Sequence, residues 1–254
     1  MLNFKVISDR LGTDQPFYGL QAQGVDGRLA PLATVEAMAA QYVEAIRSVQ
    51  PQGPYRLAGY SAGGVIAYEM AQQLNKDGQT VELLAMIDTL SPTSAGRKIS
   101  YFRKLWLMRR WSFKFAMEWP ARRHRGKMDQ VHHQMALDQL SRGEPLPPEL
   151  VDFYLFRNFI KAQSLYQPAP YQGSIVLFRA TEGDMQYLDA GNALGWQSTV
   201  HGDIHVTSIV GSHFSMMSEP GVSELIAGFK TSLALIDSST EPVTSPAGLT
   251  RQGT

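Results

Sequence analysis

The sequence predicts an α/β protein, a mostly parallel sheet with helices on both faces. Three observations predict it. The apolar run Tyr55-Arg56-Leu57-Ala58 meets Gly59-Tyr60-Ser61-Ala62-Gly63 and then a helical pattern, Val65-Ile66-Ala67-Tyr68-Glu69-Met70-Ala71, so a strand turns sharply into a helix. Residues 80–87 form an apolar run ending at Asp88, as a parallel strand buried on both faces does. Strand, helix, strand, helix, strand is the doubly wound α/β order.

The elements follow in order. Residues 15–21 (Gln-Pro-Phe-Tyr-Gly-Leu-Gln) read as a short strand. Residues 34–50 read as a helix, because Val35, Met38, Ala39, Tyr42, Val43 and Ile46 recur at helical spacing. Pro51-Gln52-Gly53-Pro54 ends it and opens the next strand. The helix after Ser61 is expected to reach Lys76, where Asp77-Gly78 closes it. Residues 91–167 contain no clear strand and carry many aromatics, which reads as a helical lid inserted between two strands. The sheet resumes at 174–179 and ends with 204–210, followed by Gly211-Ser212-His213. A closing amphipathic helix places Val222, Leu225, Ile226, Phe229 and Leu233 on one face. One domain over 1–236 is expected, with a disordered Ser/Thr/Pro/Gly tail over 237–254.

A chain of 254 residues suits one α/β domain. Its 23 basic and 23 acidic side chains cancel, so no global charge draws it to nucleic acid or an anionic membrane. Without cysteine there are no disulfides, thiol nucleophiles or Cys-ligated metals. No signal-peptide layout and no apolar run of about 18 residues is present, so stable membrane insertion is not expected and a cytoplasmic location fits.

The chemistry centres on Ser61. A serine on a strand-to-helix turn is held in a strained backbone with its Oγ exposed. Gly59 and Gly63 are expected where a Cβ would strike the neighbouring strand and helix. A serine hydroxyl needs a base, and the base needs an orienting acid. Asp88 ends the strand after the Ser61 helix and His213 follows the last strand, giving the order Ser, Asp, His. Each has a blander alternative. Asp88 could cap the next segment, and Asp184 is a rival acid. His124, His132 and His133 read as solvated, and the adjacent pair lacks helical ligand spacing, so no metal is expected. His201 lies near the last strand, and His205 sits within it and reads as structural.

These segments together resemble the thioesterase domains that end nonribosomal peptide and polyketide synthases. The resemblance rests on Gly53 to Gly64, on Ala67-Tyr68-Glu69-Met70-Ala71, on residues 15–21, on Ile87-Asp88 and on Gly211-Ser212-His213-Phe214. It implies an α/β-hydrolase fold with a mobile helical lid. It also implies transfer of an acyl or peptidyl chain from a carrier protein's phosphopantetheine thioester to Ser61, then release to water or an internal nucleophile. Asp88 and His213 would serve as acid and base, the Ala62 amide as one oxyanion donor, and no metal or bound cofactor would be needed. Such domains begin with a strand and a Gly-rich loop supplying a second donor. This chain opens inside the following helix near Asn3-Phe4-Lys5-Val6, so that donor is expected to be missing, at a cost of about 2.7–4 kcal/mol in the transition state.

Eleven basic residues between Arg97 and Lys127 face one acidic residue, Glu118. An acidic carrier domain is the expected partner for this stretch, with a solvated lid face or an anionic membrane surface as alternatives. Nucleic acid is not expected, since no recognised module accompanies the charge. Two further readings stay open: a lidded lipase or carboxylesterase, and an inactive remnant that binds acyl chains or a carrier domain.

Overall fold

The computed structural model describes residues 4–93, 131, 134–182 and 190–240. Its main elements are α1 (Phe4–Leu11), α2 (Val35–Val49), β1 (Tyr55–Tyr60), α3 (Ala62–Lys76), β2 (Val81–Ile87), α4 (Pro148–Leu165), β3 (Ile175–Glu182), β4 (Ile204–Ser212) and α5 (Gly221–Thr240). Among the described residues four parallel strands lie side by side in chain order, β1-β2-β3-β4, with β1 at one edge.

Alternation along each strand builds two cores. Leu84 and Met86 of β2 face one side, and Leu83, Ala85 and Ile87 face the other. The first side is covered by α2 and α3, with Tyr68 packed on Trp196 at a centroid distance of 4.6 Å. The second is covered by α1 and α5, where Phe229 meets Phe178 at 4.8 Å. The β2 run is therefore apolar because both of its faces are covered.

The helices end where local chemistry ends them. Thr34 caps α2, its side chain accepting from the Ala37 N–H at 3.1 Å. Gly78, at φ 73°, closes α3, and Gln79 N–H reaches back to Leu74 O at 2.9 Å. In α5, Val222, Leu225, Ile226 and Phe229 are buried on one face, as their spacing predicts.

Three expectations change. Residues 15–21 form no strand. Pro16 lacks an N–H to donate, the Gln15 side chain accepts from Arg56 of β1 at 3.0 Å, and Phe17, Tyr18 and Leu20 line a cavity shared with Ala58, Gly59 and Tyr60. The closing helix runs to Thr240, beyond the boundary composition suggests, and Arg56 Nη2 bonds Asp237 Oδ1 at 2.6 Å inside the stretch expected to be a tail. The sheet strands also extend past their expected ends, to Glu182 and Ser212. Within the insertion, the described residues are helical at 134–141 and in α4, and they dock on the chain before α2 through Leu146 N–H to Gly27 O at 2.8 Å. The basic stretch from Arg97 to Lys127 and residues 241–254 lie outside the described residues.

Candidate active site

Ser61 occupies the turn between β1 and α3 at φ 53°, ψ −116°. A non-glycine residue there costs on the order of 1–3 kcal/mol and persists only if its surroundings hold it. They do: Ser61 N–H donates to Ile87 O at 2.8 Å, and Ser61 O accepts from Gly64 N–H at 3.1 Å. Ser61 stands at the N-cap of α3, yet its side chain makes no capping bond. A serine in that position ordinarily caps the helix. Here its hydroxyl is not committed to the helix backbone.

The glycines divide differently from the sequence expectation. A Cβ on Gly59 would lie 2.2 Å from Gly63 O, so that glycine is required by the turn. A Cβ on Gly63 would meet nothing within 4 Å. The crowded position is Gly64, where a Cβ would lie 2.0 Å from Thr89 Oγ1. The turn packs tightly through the third glycine rather than the second.

Asp88 is the next strand's counterpart to Ser61. It follows β2, has φ 44° and is 1% exposed. Its N–H donates to Phe178 O at 2.7 Å and its Oδ1 accepts from Ala180 N–H at 3.0 Å, so β3 fixes the carboxylate from both ends. Its Oδ2 lies 2.7 Å from His213 Nδ1. A buried carboxylate spends its oxygens on donors when it can, and here the two partners are a backbone amide and an imidazole.

His213 directly follows β4, after Gly211 at φ 110°. Its ring stacks on Tyr60 at a centroid distance of 4.8 Å and an interplanar angle of 24°, and the Tyr60 hydroxyl bonds the His213 carbonyl. Tyr60 immediately precedes Ser61. The imidazole is thus held from below by Asp88 and from the side by the residue that leads into the turn. Ser61, Asp88 and His213 all stand at carboxyl ends of strands on one edge of the sheet, where open α/β sheets gather their ligands.

Ala62 is the first residue of α3, so its N–H has no acceptor inside the helix. A cavity of about 460 Å³ borders the turn, touching Tyr60, Ala62 and Gly63. Its walls include Met38, Tyr42, Ile66, Met70, Leu155 and Phe159, and among the described residues no charged side chain lines it. The amide side chains in its wall are tied to the protein: Gln41 Nε2 to Gln23 Oε1 at 3.1 Å, Gln23 Nε2 to Ala30 O at 2.8 Å, and Asn158 Nδ2 to Leu32 O at 2.6 Å.

The other sequence candidates fall elsewhere. His205 is the second residue of β4, at the opposite end of that strand from His213. His201 bonds the Gln172 side chain at an exposed position. Asp184, His124, His132 and His133 lie outside the described residues. Among the described residues no group of three or more His, Cys, Asp or Glu could hold a metal, and no helix is long and apolar enough to cross a membrane.

Sequence reasoning missed Thr89, Trp196 and the ring of Tyr60. Thr89 is fully buried behind Asp88, and its Oγ1 lies 3.1 Å from Ser61 O and 3.2 Å from Ile87 O. Trp196, also fully buried, donates its indole N–H to Thr89 O at 2.7 Å. A lone Trp in a Gly- and Asn-rich stretch was the available signal, and it does not say which carbonyl it serves.

Known proteins resemble this chain in sequence and in fold. The family model of the thioesterase domain matches residues 2–233. Malpibaldin synthetase of Mortierella alpina is 30% identical over 216 residues, 81% of this chain and 3% of that protein. Polyketide synthase PksR of Bacillus subtilis (strain 168) is 51% identical over 77 residues, 30% of this chain and 3% of that protein. The chain therefore spans about 3% of the length of these curated relatives. Among solved structures, the NocB thioesterase domain in covalent complex with a fluorophosphonate nocardicin G analogue superposes with a TM-score of 0.53 at 27% identity, over 80% of this chain and 76% of that one. With a parallel sheet flanked by helices and a family match over nearly its whole length, this chain belongs to the thioesterase domains of nonribosomal peptide and polyketide synthetases, built on the α/β-hydrolase fold.

Proposed function

We propose that this chain releases an acyl, polyketide or peptidyl group from a carrier-protein phosphopantetheine thioester through an acyl-Ser61 intermediate. The observation that carries the reading is the 2.7 Å contact between Asp88 and His213, set beside a serine whose turn is bonded to the residue preceding Asp88. An imidazole whose Nδ1–H donates a hydrogen bond to a buried carboxylate presents Nε2 as the base.

The steps follow from the groups present. Ser61 Oγ attacks the thioester carbonyl as its proton passes to His213 Nε2. The tetrahedral oxyanion takes a hydrogen bond from Ala62 N–H. The C–S bond then breaks, and His213 returns the proton to the departing phosphopantetheine thiolate. Water, or a nucleophile within the substrate itself, attacks the acyl-serine ester. Its proton goes to His213 and then to Ser61, which is restored. Asp88 holds the imidazole in the correct tautomer and balances its charge while protonated.

Phosphopantetheine arrives on the partner in this reading, and the partner is a carrier domain of the same synthetase class as the relatives. The cavity beside Ala62, with no charged lining residue among the described residues, offers an apolar wall to an acyl chain delivered to Ser61. The NocB domain's covalent fluorophosphonate complex supports the choice of probe. Intact-mass measurement after treatment with an alkyl fluorophosphonate tests the reading. One adduct is expected on the wild type and none on Ser61→Ala. A wild type that stays unlabelled, and that turns over no acyl thioester, would leave only a binding role.

A further inference from the structure

We propose that Thr89 is a positioning residue, whose hydroxyl clasps the Ser61 turn to the Asp88 turn and so sets where the nucleophile stands relative to its base. The inference rests on the serine mechanism proposed above.

The two turns belong to different strands, and each holds a non-glycine residue at positive φ, Ser61 at 53° and Asp88 at 44°. Neither conformation is self-sustaining. Asp88 is held by β3 through Phe178 and Ala180. Ser61 is held by β2, through its N–H on Ile87 O. What closes the arrangement is Thr89. Its single hydroxyl proton is shared between Ser61 O at 3.1 Å and Ile87 O at 3.2 Å. Both acceptors belong to the joint between the turns. Since Thr89 is fully buried, no water is at hand to replace that proton.

Thr89 is itself anchored from two sides. Trp196 Nε1–H donates to its carbonyl at 2.7 Å, and Trp196 packs on Tyr68 of α3. Gly64, in the first turn of α3, comes so close that a Cβ there would meet Thr89 Oγ1, Cβ and Cγ2 at once. A β-branched residue has few side-chain rotamers, and this packing leaves less freedom still. Asp88 carries His213, so fixing Ser61 to the Asp88 loop fixes nucleophile and base in one frame.

The chemistry gives a clean substitution. Thr89→Val keeps the shape and removes the donor, whereas Thr89→Ser keeps the donor and removes a methyl group. Ser61 O retains its bond from Gly64 N–H in both, so the carbonyl is not orphaned. The readouts are the second-order rate of fluorophosphonate labelling at Ser61 and the kcat and KM for an acyl N-acetylcysteamine thioester. Thr89→Val is expected to slow labelling and kcat by about tenfold or more, since a displacement near 1 Å can cost about a hundredfold, while KM stays within about twofold. Thr89→Ser is expected within about threefold of wild type. Trp196→Phe, which keeps the ring packing and drops the indole donor, is expected to slow labelling by about threefold or more at unchanged KM.

Labelling of Thr89→Val at the wild-type rate overturns the proposal. So does a Thr89→Ser variant far slower than wild type, which would make the methyl group's packing the important feature. If Thr89→Val does not fold, as judged by near-ultraviolet circular dichroism, the other two variants still decide: slow Thr89→Ser or wild-type-like Trp196→Phe overturns it. Failure of the wild type itself to label at Ser61 is a different outcome, and it defeats the serine mechanism instead.

Discussion

Gly64 and Thr89 are packed so closely that a methyl group added to Gly64 would sit 2.0 Å from Thr89 Oγ1, whereas the same addition to the neighbouring Gly63 would meet nothing within 4 Å. The two glycines are therefore unequal, although the Gly-x-Ser-x-Gly pattern contains only Gly63. Gly64→Ala is expected to lower activity by about tenfold or more and to destabilise the fold by about 1–3 kcal/mol through overpacking. Gly63→Ala is expected to be near neutral in stability. Urea titration and thioesterase assays on the two variants check this, and equal behaviour contradicts the packing described here.

Asp88→Asn tests the acid. The amide can still accept from Ala180 N–H, but it no longer obliges His213 to present Nε2 as a base. A kcat loss of about 10⁴-fold is expected, with the fold intact, because the imidazole then takes the wrong tautomer. Steady-state kinetics together with a thermal melt check it. A loss under tenfold would point to another carboxylate, and Asp184→Asn is the natural comparison.

Burial of tyrosines makes stability fall in alkali. Desolvation pushes the Tyr68 hydroxyl up from 10.0 to about 12, and burial also raises Tyr166 and Tyr171. In each case the folded state holds the proton more tightly than the unfolded state. Their contribution is therefore fully present below pH 10 and is lost as pH rises through the folded values. Tm is expected to be flat from pH 8 to about 9.5 and then to fall. Tyr68→Phe removes one titration and also leaves the carbonyls of Ala169 and Thr199 without its hydroxyl. That variant should start about 1 kcal/mol less stable at pH 8 and fall less steeply above pH 10. Scanning calorimetry across that range checks both slopes.

The cavity walls make a statement about substrates. With no charged lining residue among the described residues and its amides already bonded, the described wall offers nothing to neutralise a buried charge. Acyl thioesters ending in a methyl group should be turned over faster than chains of the same length ending in carboxylate or ammonium. A panel of N-acetylcysteamine thioesters compared by kcat/KM measures this. A preference for the charged ends would mean that the acyl chain takes another path.

Much of this was legible before any coordinates, and for physical reasons. Short-range patterns settle the strand-turn-helix at Ser61 and the runs of β2 and α5, because covered faces must be apolar with a fixed period. Asp88 and His213 could be chosen because chain order and strand ends place them on one edge. Residues 15–21 read as a short strand from the sequence, but a strand requires a partner edge, and pairing is not a local property. The partner of Trp196 and the role of Thr89 were invisible for the same reason, since both depend on contacts across 107 and 28 residues of chain. The glycine assignment failed by one position because a pattern records which residues are small, not which neighbour approaches them.

The most direct measurement is peptide mapping by mass spectrometry after fluorophosphonate treatment of the wild type and of His213→Ala. The account predicts a single adduct on the peptide containing Ser61, with labelling slowed by about a thousandfold or more in His213→Ala. An adduct on a different serine, or labelling that is indifferent to the loss of His213, would contradict it.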